Sequence, residues 1–371
     1  MPGPLDSLKV VEFSGLGPAP LAGQLLADLG AQVCVIDRVS GPAHAHDINR
    51  RGKSSVALNL KSPAGQRVAR QMMAAADIVI EGFRPGVMER LGLGPETCPD
   101  TVIYGRMTGW GQAGPMAHVA GHDITYLATT GVLHMMGTPE APPKPPLNLV
   151  ADYGGGTMFL LYGLLAAVIS RGVTGRGQVV DAAMIDGVPA MMGLIHGLMA
   201  QGVWGAPGAN WLDGGAPFYR CYRCADGRDV AVGALEPQFY ALLLRGLGLE
   251  HAALPAQMDR AAWPRVTARL ADIFATRTRD EWAAAFEGTD ACVAPVLSME
   301  EAAEHPHLGP RGVYADLDGV RQSAPAPRFS GTPAPKPRPP GVRGGDTDTV
   351  MRDLGYHADQ VAQMRADGVL T

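Results

Sequence analysis

The feature that most constrains this chain is the alternation of strand-like and helix-like segments through its first half. Leu8–Phe13 reads as a strand, Pro18–Gly30 as a helix with Leu21, Leu25, Leu26 and Leu29 on one face, and Gln32–Asp37 as a second strand. Val56–Leu60, a helix over Pro63–Ala76, Asp77–Gly82, Thr101–Met107 and Gly177–Ile185 continue the pattern. Strands separated by helices of about 10–15 residues require crossover connections, and crossovers build a parallel sheet with helices on both faces. The expected fold is therefore α/β, with a large, doubly wound (Rossmann-like) parallel-sheet domain.

The middle of the chain changes character. Phe218–Cys224 and Asp229–Leu235 read as a hairpin across Asp226-Gly227, followed by helices at Pro237–Leu247 and Arg265–Thr276. This predicts a smaller α+β domain over 215–310, with 191–214 and 311–329 as linkers. The prolines between Pro325 and Pro340 form a stiff, extended connection. A short polar helix near Asp346–Leu354 follows, and residues 330–371 are expected to return and complete the large domain of 1–190.

Composition narrows the function classes. The 371 residues carry 31 Lys and Arg against 36 Asp and Glu, a net charge of −5, with no basic run of the kind nucleic acid needs. No nucleic-acid partner is expected. Five cysteines in so long a chain make no disulfide framework, and Cys221–Cys224 stands without a second pair, so it reads as part of an alternating strand. Reduced thiols and an N-terminus that runs directly into a strand point to a cytoplasmic protein. The most apolar stretch, Thr157–Ser170, is shorter than the roughly 20 residues of a membrane span and reads as a buried core helix. No membrane partner is expected.

Signatures of several chemistries are missing. There is no GxSxG elbow, no HExxH, and no GxxxxGK[ST] loop. The turn Gly15-Leu-Gly17-Pro-Ala-Pro20 starts like a dinucleotide fingerprint but places Pro20 where close helix packing wants Gly, and Asp37 at the end of the second strand does not rescue it. What remains is acid/base material: His122 in Gly121-His122-Asp123, Asp152 in Asn148–Gly156, and Glu236 before Pro237. Each has a structural alternative as a helix-start residue. Gly154, Gly155 and Gly156 exceed what a cap requires and suit a ligand pressing negative charge against bare backbone.

At these residues the chain resembles the α-methylacyl-CoA racemases, within the family III CoA-transferase superfamily. The likeness runs through Leu8–Pro18, Asn59–Lys61, Glu81–Gly86, Arg90–Gly94, Arg106–Gly111, Gly121–Ile124, Asn148–Gly156, Asp181–Met184, Leu212–Gly215 and Gly233–Gln238. The resemblance implies that His122 and Asp152 flank the α-carbon of a coenzyme A thioester, with Glu236 holding the histidine and Asn148 supporting the aspartate. It implies acyl-CoA as substrate, no cofactor beyond the coenzyme A that the substrate carries, and an interlocked homodimer in which Glu236 reaches His122 from the other subunit. Arg38, Lys61, Arg84 and Arg90 are expected to line the coenzyme A channel, with Gly121, Asp123 and Tyr126 also on the substrate.

One group on each face of the carbon is what inversion by proton transfer needs. Backbone N–H groups near Asp152 are expected to receive the enolate oxygen. The alternative is a CoA transferase in which Asp152 attacks the thioester; family III transferases usually carry an aromatic residue where His122 stands. Met135-Met136, Met191-Met192 and Met199 read either as an adaptable acyl surface or as ordinary core.

Overall fold

The computed structural model describes residues 3–40, 47–138 and 141–371. The chain divides into two compact units, one of Met1–Thr130, Pro146–Met191 and Gly312–Thr371, the other of Gly131–Pro145 and Met192–Arg311.

The first unit is built on six parallel strands, β1 (Lys9–Phe13), β2 (Gln32–Asp37), β3 (Ser54–Ala57), β4 (Ile78–Glu81), β5 (Ile103–Thr108) and β6 (Val179–Ala183), in the order β3-β2-β1-β4-β5-β6. The strands are apolar nearly throughout because both faces are covered. Val10, Val11 and Phe13 of β1 and Ile78, Val79 and Ile80 of β4 are at most 5% exposed, and each such side chain contributes about 1.5–3 kcal/mol by leaving water. Helix α1 (Pro18–Asp28) buries Ala19, Ala22 and Leu26 against the sheet. Of the four leucines expected on its inner face, only Leu26 is fully buried, since small residues bring the helix closer. Gly23 is one of them: a Cβ there would stand 1.8 Å from Glu12 Oε2. Helix α2 is Pro63–Ala74, capped by the Ser62 hydroxyl.

The strand order reverses between β1 and β4, so the turns that leave their carboxyl ends diverge to opposite faces and open a crevice there. Helix α3 (Asp123–Thr129) follows β5. A π-helix over Leu149–Met158 then runs into α4 (Phe159–Thr174), and α5 (Met184–Ala190) follows β6.

The expected buried core helix is longer and less buried than the sequence suggests. Leu149–Thr174 is 26 residues, long and apolar enough to cross a membrane by length and composition, with 28% of its most apolar window buried. Leu160 and Leu164 pack over Gly105 of β5. Tyr162, Ile169 and Val173 form an outward stripe, 73%, 73% and 86% exposed.

In the second unit α6 (Gly193–Ala200) replaces part of the expected 191–214 linker. An antiparallel sheet of β7 (Tyr219–Arg223), β8 (Asp229–Gly233) and β9 (Val293–Pro295) packs on α7 (Pro237–Gly246), α8 (Trp263–Phe274) and α9 (Arg279–Phe286). The core is aromatic: Phe218 meets Tyr240 and Trp263 edge-on, and Phe274 meets Trp282. Residues 131–145, which the sequence reading placed in the large domain, belong here, with Thr138 packed against Gly208.

The chain then returns to the first unit. The expected 311–329 linker contains a hairpin, β10 (Tyr314–Leu317) and β11 (Val320–Ser323), held by Arg51, whose guanidinium donates to Gln322 Oε1 at 2.8 Å and to the Ser323 carbonyl at 2.7 Å. The last residues lie along β3, the sheet edge. Gly344 N–H donates to Ser55 Oγ, Ser55 and Asp346 exchange bonds, Asn59 N–H donates to the Val369 carbonyl, and Leu58 bridges Leu370. Helix α10 (Thr347–Asp353) matches the expected short helix, and α11 (Ala358–Ala366) extends it.

Candidate active site

The carboxyl ends of the parallel strands carry most of the predicted residues. The turn after β1 passes through Gly17 at φ 72°, which frees its backbone to approach the π-helix; a Cβ at Gly17 would lie 3.7 Å from Asp152 Oδ2. Thr157 Oγ1 donates to the Pro18 carbonyl at 2.9 Å and ties the two segments together. After β4 comes Arg84, exposed. After β5 the chain delivers Gly121, His122 and Tyr126.

Tyr126 is packed into the site by glycine. A Cβ at Gly109 would fall 2.1 Å from its Cζ, and one at Gly121 would fall 2.5 Å from its Cε1. Trp110 meets the ring edge-on at 4.8 Å. The phenol is pushed up by burial and by the charge of Asp152, and drawn down by Arg84. Those couplings put Tyr126, Asp152 and Arg84 in one electrostatic neighbourhood. Gly121, expected on the substrate, acts here by making room for the ring.

His122 is exposed and begins α3; its N–H donates to Thr125 Oγ1 at 2.9 Å and its carbonyl accepts from the Thr125 and Tyr126 amides. Asp152 lies in the first turn of the π-helix, half-buried. Burial pushes its carboxyl above the usual range, the Asn148 amide 3.4 Å away pulls it down, the charge of Asp123 raises it, and His122 lowers it. The structure thus brings His122, Asp152, Asn148 and Tyr126 together. Asp152 does not cap its helix.

Asp123 does. Its Oδ2 accepts from both the Ala151 and Asp152 amides at 2.8 Å, and the side chain is 5% exposed. One expectation is corrected by these bonds, and the Asp123 side chain is turned to the π-helix. The Ala151 and Asp152 amides, among those expected to receive an enolate oxygen, are already engaged.

Two of the three glycines also change meaning. A Cβ at Gly155 would fall 2.9 Å from the Val188 nitrogen, and one at Gly187 would fall 1.9 Å from the Gly155 carbonyl oxygen. Gly155 and Gly156 are buried, and they serve close packing of the π-helix on α5. Backbone glycine at Gly109 and Gly187, unnoticed in the sequence, shapes the site as much as the three beside Asp152; nothing in their spacing announces it.

Arg38 and Lys61 follow β2 and β3, and Arg90 ends a short helix after β4; all three are exposed. Among the described residues no direct bond joins them to Asp152 or His122. Asp37 is 4% exposed and held by Arg50 at 2.6 and 3.0 Å and by Ser55 Oγ at 2.6 Å, which closes it to a nucleotide ribose. Glu236, exposed at the start of α7, belongs to the second unit. Met136, Met191 and Met199 are 40%, 45% and 49% exposed, so the core reading of these methionines does not hold in the single chain. Among the described residues no group of three or more His, Cys, Asp or Glu is placed to hold a metal ion.

Comparison with known proteins places the chain. The model of CoA-transferase family III matches residues 5–347. An α-methylacyl-CoA racemase of Mus musculus is 45% identical, over 99% of this chain and 97% of its own length, and one of Homo sapiens is 42% identical over the same shares. The succinyl-CoA:glutarate CoA-transferase of Homo sapiens is 25% identical over 99% of this chain and 90% of its own. Among solved structures, a CAIB/BAIF family protein from Brucella suis superposes with TM-score 0.81 at 25% identity, covering 95% of this chain and all of that one. A hypothetical protein from Mycobacterium tuberculosis gives 0.79 at 27% identity, over 94% and 99%.

Proposed function

The chain belongs to CoA-transferase family III, and on that premise we propose that it is an α-methylacyl-CoA racemase, interconverting the two configurations of 2-methylacyl-CoA thioesters. The observation that carries the reading is the near-full-length identity of 42–45% to racemases, against 25% to the glutarate transferase, in a chain that has His122 in the electrostatic reach of Asp152.

The thioester acidifies the α-hydrogen, and two side chains do the rest. In one direction Asp152 takes the proton as a carboxylate while protonated His122 delivers one to the opposite face; the reverse direction exchanges the roles. Burial and Asp123 bring Asp152 closer to neutrality than an exposed aspartate, which lets it hold a proton as well as release one. Asn148 limits that rise. Tyr126, after β5, is coupled to both Asp152 and Arg84, and Arg84, Arg38, Lys61 and Arg90 supply cations beyond the strand ends for the phosphates of coenzyme A. No cofactor is drawn on beyond the coenzyme A of the substrate.

The exposed stripe of α4, with Tyr162, Ile169 and Val173, supports a homodimer, because a contiguous exposed apolar face marks an interaction surface. Glu236 of the second copy would then orient His122. The proposed location is cytoplasmic.

The test is incubation with a single 2-methylacyl-CoA isomer in deuterated water, following mass and chirality at the α-carbon. Deuterium uptake with loss of optical purity, abolished in His122→Ala and in Asp152→Ala, is the expected result. No exchange, but transfer of coenzyme A to an added free carboxylate, makes the protein a transferase with Asp152 as nucleophile.

A further inference from the structure

We propose that Asp123 is a positioning residue of the reaction, a single buried carboxylate that locks the helix start bearing Asp152 to the helix start bearing His122. His122 and Asp123 are consecutive, so whatever fixes Asp123 fixes the histidine's backbone. Asp123 Oδ2 in turn accepts the amides of Ala151 and of Asp152 itself, each at 2.8 Å. The two groups that must flank one carbon therefore hang from a common anchor, though they lie thirty residues apart in the chain. A charged acceptor on two amides is about twice as strong a tie as a neutral one. The other carboxylate oxygen, Oδ1, is buried with no hydrogen-bond partner among the described residues.

That arrangement has an electrostatic consequence. Among the described residues the charges that act on Asp152 are those of Asp123 and His122 from the start of α3; Tyr126 of α3 feels both Asp152 and Arg84, Asn148 bonds Asp152 from the start of its own helix, and Gly17 of the β1 turn is uncharged. Asp123 is the one negative charge in that set, and it raises the Asp152 carboxyl. The anchor thus sets both where Asp152 stands and how readily it holds a proton. Its kinetic consequence rests on the racemase reading; the placement itself does not.

The experiment compares Asp123→Ala and Asp123→Asn with the parent full-length protein. In hydrogen exchange, Asp123→Ala is expected to lose protection of the Ala151 and Asp152 amides by roughly tenfold or more. In α-deuterium exchange it is expected to lose about 100-fold in kcat, the cost of misplacing a catalytic group by about an ångström, with KM within about threefold. Asp123→Asn keeps an acceptor and loses the charge. It is expected to recover most of the amide protection and of the plateau kcat, with the limb that reports ionisation of Asp152 moved to lower pH.

Unchanged amide protection in Asp123→Ala overturns the proposal. A loss confined to KM also overturns it and returns Asp123 to the substrate site. If the parent protein exchanges no α-hydrogen, the racemase reading fails while the amide measurement still decides the anchor. If Asp123→Ala does not fold, the pH limb of Asp123→Asn decides, and an unmoved limb sinks the electrostatic role.

Discussion

Two groups of carboxylates in the first unit face opposite conditions. Glu12, Asp28 and Asp37 lie within the βαβ framework, 2%, 2% and 4% exposed, and each meets a cation: Lys53, Arg51 and Arg50, all at 2.6 Å. Asp152, at the crevice, is half-buried and accepts a hydrogen bond from a neutral amide, with its backbone pinned by another carboxylate. A matched cation fixes a carboxylate's charge and its place at once. Asp152 has its place fixed through the backbone, and its charge is left free to change. The framework acids and Asp152 differ in burial and also in what holds them.

The largest expected effect tests the framework side. Burial pushes Glu12 up and Lys53 down, so each resists its own charge and depends on the other. Lys53→Met leaves a buried carboxylate alone and should cost about 3–5 kcal/mol in urea denaturation, while Glu12→Met with Lys53→Met should regain most of it. A single variant as stable as the parent breaks the comparison.

A smaller effect tests how Asp152 is placed. Gly187→Ala puts a methyl 1.9 Å from the Gly155 carbonyl oxygen and should cost about 1–3 kcal/mol, with kcat falling more than KM because the π-helix shifts. Gly172→Ala, on α4 with nothing within 4 Å, should instead gain up to about 1 kcal/mol. Equal outcomes for the two would remove the packing argument.

The smallest effect sharpens the Asp152 side. Asn148→Ala removes the bond that holds the Asp152 carboxyl down, so its ionised form loses support and its pKa rises further. The limb of α-deuterium exchange that needs ionised Asp152 should move to higher pH, by less than about one unit. A shift to lower pH would mean that Asn148 serves the protonated form.

The parallel sheet was legible because buried strands such as Ile78–Glu81 are apolar nearly end to end, and because β1 and β2 are separated by a helix of the right length. His122 and Asp152 were legible as residue types in a family-matched setting. The π-helix was not: its glycines look the same whether they face a ligand or another helix, and only the approach of Gly187 to Gly155 tells the two apart. The role of Asp123 was hidden because its partners are backbone amides, which carry no residue identity. Strand β9, three residues ending in Pro295, is too short to announce itself, and α11 is too polar to show an apolar stripe.

The last residues lie against β3, and this has a consequence for a chain made from its N-terminus. Strand β3 is a sheet edge, and its outer backbone is covered only when Gly344 to Leu370 arrive. At about 5–20 residues per second, roughly 300 residues of further synthesis keep that edge open for about 15–60 seconds. During elongation the nascent sheet offers an unpaired parallel edge to neighbouring ribosomes' products, the geometry from which strand-swapped aggregates grow. Synthesis rate and chaperone supply, more than the final stability of the fold, should then set how much of this protein is recovered.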